Sequence, residues 1–450
     1  MNPSIFISAG EASGELYGAL LARALSHGST PRGETTEWGM GGPRMAAAGV
    51  EIVVRSEDMA VMGFTEVVRH LPRIYREFRK LKRAIRMRRP TVAVLIDFPE
   101  IHFRLAKELH RLGVPVIYFV SPQIWAWKQH RIRLVRKFVK RMLVIFPFEQ
   151  AFYRERGVKA EFVGHPLADL PPPAITRERF AAENGLNAAR IWIGLLPGSR
   201  LKEIEANLPQ MLEAAGSLRN SPQGLKPRSY CSADGTAEAV PFQSERLDEV
   251  SQETEKDNSE TQTYEFLIPL APTLDASQRK VVLRMVETLG GGLPVRLVDD
   301  ARAALFHARA SVVASGTATV EAALIGNPFV VVYRVSRLTY AIARRLVKVP
   351  HVAMANLIAG KRVVPELIQQ DFTAANIVQH LRQLLPDGPD RESMMKELGA
   401  IREALHVHSA AGRDNDPGAI ETVADLVARE IEAASRAAFR SGGAVENRPG

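Results

Sequence analysis

The chain has 450 residues, 46% of them hydrophobic and 24% charged, with a single cysteine, Cys231. That length exceeds what one hydrophobic core organises, so two domains are expected. One thiol excludes a disulfide framework and a cysteine-built zinc site, and suits a reducing cytoplasm. The formal charge of +9 points to an acidic partner: nucleic acid, a phosphorylated substrate or an anionic membrane surface. No apolar run approaches the ~18–20 residues of a membrane span, and no basic region precedes the first short apolar run, so no secretory leader is expected.

Strand-like and helical stretches alternate along the chain. Ile5 to Ala9 reads as a buried strand, followed by the turn Gly10-Glu11-Ala12-Ser13-Gly14-Glu15 and a helix through Leu25. Short apolar runs of the same type recur at Val92–Ile96, Val114–Phe119, Met142–Ile145, Ile191–Leu196, Phe266–Ile268, Ser311–Val313 and Phe329–Val332. Helical periodicity fills most of the gaps, which predicts parallel βαβ units. Gly164-His165-Pro166 with Pro171-Pro172-Pro173 reads as an interdomain hinge. Residues 217–263 are rich in Ser, Gln, Glu, Asp and Thr without hydrophobic periodicity; they read as a disordered surface insertion. Residues 434–450 read as a loose tail.

Val67, Leu71, Ile74, Phe78, Leu81 and Ile85 form an apolar stripe at helical spacing, surrounded by Arg69, Arg73, Arg76, Arg79, Lys80, Lys82, Arg83 and Arg86. Two readings compete. One is a core-packed helix with a solvated charged face. The other is a face for acidic lipid headgroups, helped by Val61, Met62 and Phe64 just upstream. Nucleic acid is disfavoured, because no recognised binding motif is present and aromatic residues are only 7% of the chain.

Chemistry-bearing residues cluster after the apolar runs. Asp97 ends the run Val92–Ile96, where open α/β sheets place functional groups; a cap for the following helix is the competing role, with Glu100 an equal capping candidate. Leu195-Leu196-Pro197-Gly198-Ser199-Arg200 and Ser315-Gly316-Thr317 each turn a strand into a helix. Unpaired N–H groups and partial positive charge make such turns anion sites. Arg200 adds a planar cation suited to phosphate; an ordinary surface arginine is its alternative, and a plain helix cap is the alternative for the Ser315 turn. Glu321, one helical turn beyond Thr317, is placed to accept from ribose hydroxyls. Two such turns in one half of the chain predict a sugar-nucleotide transferase. Trp125 and Trp127 read as core packing or as a wall for a sugar or acyl chain, His165 as hinge or second base, and His406 and His408 as surface residues.

The motifs Gly10-Glu11-Ala12-Ser13-Gly14, Gly42-Pro43-Arg44-Met45, Ala60-Val61-Met62-Gly63, Ser121-Pro122-Gln123-Ile124-Trp125-Ala126-Trp127, Gly164-His165-Pro166, Leu195 to Arg200, and Ser315-Gly316-Thr317-Ala318 with Glu321 occur in this order. Together they strongly resemble the lipid-A-disaccharide synthase family over nearly the whole chain except the insertion and the tail. Glu15 stands where the family is expected to carry Asp, and Glu100 where it usually carries a second aspartate; neither departure removes a carboxylate.

The resemblance implies an α/β protein of two Rossmann-like lobes of GT-B type. Residues 1–168 would be an acceptor- and membrane-facing lobe and 169–336 a UDP-sugar lobe. Residues 337–433 would be a helical segment packing back across the lobes. It implies inverting transfer from UDP-2,3-diacylglucosamine to 2,3-diacylglucosamine 1-phosphate, giving a β-1,6-linked disaccharide and UDP, with no cofactor and no catalytic metal. Asp97 matches the general base, with Glu11 or Glu15 as alternatives, and Gly10, Glu11, Ser13 and Glu15 fall on the acceptor side. Arg200, Ser315, Gly316, Thr317, Glu321 and Asn356 fall on the UDP side, Asn356 by the resemblance alone. A peripheral protein on the inner face of the inner membrane is implied, as is a homodimer. The alternatives are another UDP-sugar enzyme of the same fold, either a peptidoglycan-type glucosaminyltransferase or an epimerase, and a non-catalytic nucleotide-binding protein at a membrane surface.

Overall fold

The computed structural model describes residues 3–27, 35–59, 64–219, 264–336, 340, 349–407 and 417–442, the side chains of 64–70 and 437–442 excepted. In the first half the order is β1 (Ser4–Ala9), α1 (Ala12–His27), β2 (Thr36–Gly41), α2 (Pro43–Ala47), β3 (Glu51–Arg55), α3 (Phe64–Arg88), β4 (Val92–Ile96), α4 (Pro99–Arg111), β5 (Val116–Phe119), α5 (Ile132–Phe138), β6 (Arg141–Val144), α6 (Pro147–Glu155) and β7 (Ala160–Phe162). The second half runs α7 (Arg177–Asn184), β8 (Ile191–Leu196), α8 (Leu201–Arg219), β9 (Tyr264–Pro269), α9 (Ala276–Leu289), β10 (Val295–Val298), α10 (Ala301–His307), β11 (Ala310–Ala314), α11 (Thr317–Ile325), β12 (Phe329–Tyr333), α12 (Met354–Ala359), β13 (Glu366–Ile368), α13 (Ala374–Leu384), α14 (Pro389–Leu405) and α15 (Ala419–Gly442).

The strands form two parallel sheets, β3-β2-β1-β4-β5-β6-β7 and β10-β9-β8-β11-β12-β13. Both orders reverse beside their first strand, between β1 and β4 and between β8 and β11. At such a switch point the flanking helices leave on opposite faces and open a crevice at the strands' C-terminal ends. The predicted α/β class and two-lobed plan therefore hold.

Side-chain alternation divides the first sheet between two cores. Ile5, Ile7, Val94, Ile96, Ile117 and Phe119 face α1 and a core that runs on into the second lobe. Phe6, Ala93, Leu95, Val116 and Tyr118 face the layer that contains Leu81 and Ile85 of α3. The stripe of α3 is thus core-facing at Ile74, Phe78, Leu81 and Ile85, but Leu71 is exposed. The side chains of Phe64, Val67 and Arg69, and the whole of Val61 and Met62, lie outside what is described.

Sequence reading anticipated the central strands and passed over β2, β3, β7, β10 and β13. Central parallel strands are buried on both faces and show as unbroken apolar runs. The missed strands lie at or next to sheet margins and are short or mixed in polarity. In β2 a side chain at Gly39 would place its Cβ 1.9 Å from the Ile7 carbonyl oxygen of β1, so that strand carries the residue least favoured by strand propensity.

The chain crosses between the lobes twice. Outbound, Gly164 takes φ 82°, and a Cβ there would press on Val407 at 2.9 Å; the His165 amide donates to the Leu405 carbonyl at 2.9 Å. Returning, α15 packs against α1 and β4 of the first lobe. The Asp169 carboxylate accepts the Ala419 amide at 2.6 Å, and Glu430 meets Arg141 at 2.6 Å. Residues 349–405, by contrast, stay with the second lobe: β13 extends its sheet and α13 lies on α8. Helix α15 continues to Gly442, beyond the expected start of a tail; most of the expected insertion, from residue 220, lies outside the described residues.

Glu430 is buried while Arg141 keeps a second partner in Glu161. Glu430→Ala should therefore lower stability by about 1–2 kcal/mol through one lost charge-assisted bond. Urea unfolding of the full chain measures it, and an unchanged midpoint would mean that α15 is held by its apolar face alone.

Candidate active site

The C-terminal ends of β1, β4, β8 and β11 define the crevice. Ala9 pairs with Ile96, so Gly10 and Glu11 lie beside Asp97. Val313 pairs with Leu196, so the Ser315 turn lies beside Pro197-Gly198-Ser199-Arg200. Across the gap the Arg200 Nη2 stands 3.9 Å from the Glu11 carboxylate. One cleft thus gathers Asp97, Glu11, Arg200 and the start of α11.

Asp97 and Phe98 are both left-handed, at φ 50° and 48°, a conformation that costs a non-glycine residue about 1–3 kcal/mol. Helix α4 begins at Pro99 after Phe98, with no side-chain cap, so the capping role for Asp97 does not apply. Glu100 does not cap either; it pairs with Arg131 and Lys128 at 2.8 and 3.1 Å. The Asp97 carbonyl accepts from Tyr118 Oη and His102 Nδ1, each at 2.6 Å. The Phe98 ring lies where a Cβ on Gly10 would sit, 2.3 Å away, which explains a glycine there by space rather than by ligand contact. Burial, reinforced by the charge of Glu11, pushes the Asp97 carboxyl up to about 7.

Other expected acceptor-side residues separate. Glu15 accepts the Arg44 amide at 2.7 Å and fills the space where a Cβ on Gly42 would sit, which ties its carboxylate to the start of α2. Ser13 lies in the first turn of α1, partly buried. His165 is buried, with burial holding its imidazole down at about 3, and its Nδ1 accepts the Leu167 amide at 3.2 Å; it is a hinge element, not a second base. His406 likewise sits at the hinge, 3.5 Å from Asp169, not on open surface, while His408 lies outside the described residues. Trp125 is buried and donates to Glu149 at 2.9 Å, a carboxyl that burial raises to about 8. Trp127 is 42% exposed with Lys128 over its ring, so core packing describes only the first tryptophan.

On the second lobe, Arg200 also pairs with Glu203 at 3.0 Å, and the other Glu203 oxygen accepts the Ser199 amide at 3.1 Å. Gly198 is left-handed at φ 133°, tight against Glu203. Helix α11 starts from Gly316 with no side-chain cap and no acidic residue in its first turn, so Ser315 and Thr317 do not play the plain capping role. Its leading N–H groups and dipole favour an anion. Glu321 has its carboxyl raised by burial, with Arg302, Asp300 and Arg44 nearby, and lines a small open pocket with the hinge residues Leu167 and Pro172.

Asn356 departs from its expected role. Its amide donates to the Val364 carbonyl and Glu366, and its oxygen accepts the Val363 and Val364 amides, all at 2.7–3.0 Å. With every polar position engaged it has no direct contact to offer a nucleotide. Glu366 in turn accepts the Val352 and Ala353 amides, and the Val352 carbonyl takes the Ser315 hydroxyl at 3.4 Å, so Asn356 supports the Ser315 turn at one remove. Sequence reading also missed Ser8, His102, Tyr118 and Glu203. The available signal was a polar residue inside an apolar run, as with Ser8 in β1 and Tyr118 in β5.

Two parallel Rossmann-like sheets facing one cleft, with the carboxylate on one lobe and the arginine and uncapped helix on the other, define the GT-B class of fold. Solved structures bear this out. The glycotransferase of kitacinnamycin superposes with a TM-score of 0.56 at 15% identity, over 96% of this chain and 100% of that one. MurG of Acinetobacter baumannii does so with 0.51 at 13%, over 95% and 99%; at such identities the likeness concerns the fold alone. Sequence relatives are more specific. A family described as lipid-A-disaccharide synthetase matches residues 5–247 and 244–411. The lipid-A-disaccharide synthases of Acidobacterium capsulatum and Koribacter versatilis are 53% and 46% identical, over 90% and 95% of this chain and 92% and 97% of theirs. The chain belongs to the lipid-A-disaccharide synthase family, and is a glycosyltransferase of lipid A synthesis. The readings as an epimerase, a peptidoglycan-type enzyme or a non-catalytic protein are not favoured.

Burial raises the Asp97 carboxyl most, and the charge of Glu11 raises it further. Removing the second charge in Glu11→Gln should move the Asp97 titration to lower pH, by less than burial moves it upward. Carboxyl carbon NMR across pH 5–9 reads this out, and an unmoved or upward midpoint would show that the two groups do not interact.

Proposed function

We propose that the cleft performs inverting transfer of 2,3-diacylglucosamine from its UDP donor to the 6-hydroxyl of 2,3-diacylglucosamine 1-phosphate. Asp97 takes the hydroxyl proton as that oxygen bonds to the donor's anomeric carbon. The bond from this carbon to the UDP oxygen breaks on the opposite side, giving a β-1,6 link. Arg200 and the N–H groups around Ser315, Gly316 and Thr317 hold the charge that grows on the departing diphosphate. Glu321 receives the ribose hydroxyls. The observation that carries the reading is the alignment of Asp97, Glu11 and Arg200 across one cleft. Anabaena HepE, which shares this fold, has been solved in complex with UDP and glucose, which supports the nucleotide side.

The contrast between two variants tests these roles. With the two sugar substrates and mass detection of the disaccharide, Asp97→Asn should lose about 10²–10⁴-fold in turnover with UDP affinity kept, as for a lost general base. Arg200→Ala should lose turnover and UDP affinity together, because a phosphate clamp acts before and during the reaction. Unchanged turnover in the first, or unchanged calorimetric UDP affinity in the second, would remove that residue from its role.

The substrates carry acyl chains, which calls for docking at a membrane surface, and the first lobe is the proposed contact. Arg76, Arg79, Lys80 and Arg83 of α3 are exposed beside Leu71 and Tyr75, and among the described residues no helix is long and apolar enough to span a bilayer. Lobe 1–168 then receives the acceptor and the lipid and lobe 169–336, extended by 349–405, the UDP-sugar, with α15 tying them together, on the inner face of the inner membrane and as a homodimer. Each basic residue near an anionic surface contributes about 1 kcal/mol. Replacing Arg73, Arg76, Lys80 and Arg83 with Gln should reduce sedimentation with anionic vesicles, most at low salt, and affect turnover on detergent-dispersed substrate far less. Undiminished vesicle binding would move the docking surface elsewhere.

A further inference from the structure

We propose that Ser8, His102 and Tyr118 are positioning residues for Asp97, fixing its backbone so that the carboxylate is aimed into the cleft. The inference rests on the reading of Asp97 as the base. Three elements contribute: Ser8 from β1, His102 from α4 and Tyr118 from β5. Ser8 and His102 are fully buried, as is Tyr118, so none of them meets substrate.

The direction of each bond follows from its partners. The Asp97 carbonyl oxygen can only accept, so His102 Nδ1 carries a proton and donates to it at 2.6 Å. Burial holds the imidazole neutral, its midpoint down at about 4, which makes Nε2 the acceptor of the Ser8 hydroxyl at 2.9 Å. Tyr118 donates to the same carbonyl at 2.6 Å. Both lone pairs of the Asp97 carbonyl are thereby occupied, while the Asp97 amide donates to the Phe119 carbonyl at 3.1 Å. The residue is pinned on both sides in a left-handed conformation that only glycine adopts without strain.

Relaxation of that strain would rotate the peptide between Asp97 and Phe98 and swing the Cα–Cβ bond out of line. Two donors on the carbonyl oppose this rotation. The Phe98 ring, packed edge-on to His102 at 5.7 Å and seated over Gly10, opposes it from the other side. Ionisable groups around Asp97 are Glu11 after β1, Tyr17 of α1, His102 of α4 and Tyr118 of β5, with Arg200 joined through Glu11. The donors on the Asp97 carbonyl are His102 and Tyr118, whereas Glu11 acts on its carboxyl.

The test compares kcat, KM, UDP affinity and the pH profile of kcat in the full chain for Tyr118→Phe, His102→Leu, His102→Asn and Asp97→Asn. Tyr118→Phe and His102→Leu should lower kcat by about 10–100-fold, the scale of a misplaced catalytic group, with KM and UDP affinity within about twofold. The acid limb of the profile should move to lower pH as the carboxyl leaves its desolvated seat. His102→Asn, whose amide can donate to the same carbonyl, should restore most of the loss. Tyr118→Phe, a change of one oxygen, keeps the test decisive if leucine at 102 prevents folding. Wild-type kcat and pH profile in a folded Tyr118→Phe, with Asp97→Asn inactive, would overturn the positioning role and leave the base intact. Equal losses of kcat, UDP affinity and melting temperature would overturn it in favour of a purely structural cluster. An active Asp97→Asn would overturn it through the base itself.

Discussion

A carboxylate held at the dry end of a central strand sets the terms for the rest of the first lobe. β4 is buried on both faces, and its chain must leave the sheet at Asp97 to begin α4. Burial there disfavours the ionised form, and Glu11 alongside adds like charge. Among the described residues, the surroundings bring no cation of the first lobe to bear on that carboxyl. They fix the backbone instead, through the Tyr118 and His102 donors, and clear space for Phe98 by a glycine at position 10. A carboxyl pushed up to about 7 on a pinned backbone is the outcome.

Across the cleft the charge pattern is complementary and unsaturated. Arg200 is shared between Glu11 of one lobe and Glu203 of its own, at 3.9 and 3.0 Å. A diphosphate offers more negative charge than either carboxylate and an equally good match to the guanidinium fork, so it would compete with Glu11 for Arg200 under the proposed reading. The start of α11 beside it has no cap and no acidic neighbour in its first turn. Asn356 and Glu366, with all their bonds turned inward, hold the loop against which the Ser315 turn rests. The two crossings at Asp169 and Leu405 tie the lobes without filling the cleft.

Central strands, both switch-point turns and the order of motifs were legible in the sequence because buried parallel strands leave unbroken apolar runs and tight strand-to-helix turns favour small residues. Asp97 and Arg200 were legible for the same reason: charge at the end of such a run has few structural uses. Marginal strands were not legible, since a half-covered strand such as β10, with exposed Arg296, carries no distinctive pattern. Nor were Glu15, His165 and Asn356 separable from true cleft residues. Each stands in a motif beside residues that do face the cleft, and only the partners of its polar atoms distinguish the two cases.

The sequence by itself determined the fold class, the family and the residues able to do chemistry, because apolar periodicity and motif spacing are local properties of the chain. The tertiary structure decided which of those residues are free to act. Glu15 is engaged at α2, and Asn356 is engaged at the loop before β13. Glu11, residues away from Arg200 by most of the first lobe, meets it only when the two sheets face one another. The donors on the Asp97 carbonyl come from α4 and β5, with Ser8 of β1 behind His102, and burial among these elements raises the carboxyl. Hydrogen-bond occupancy and desolvation depend on distant segments brought together, and no local pattern encodes them.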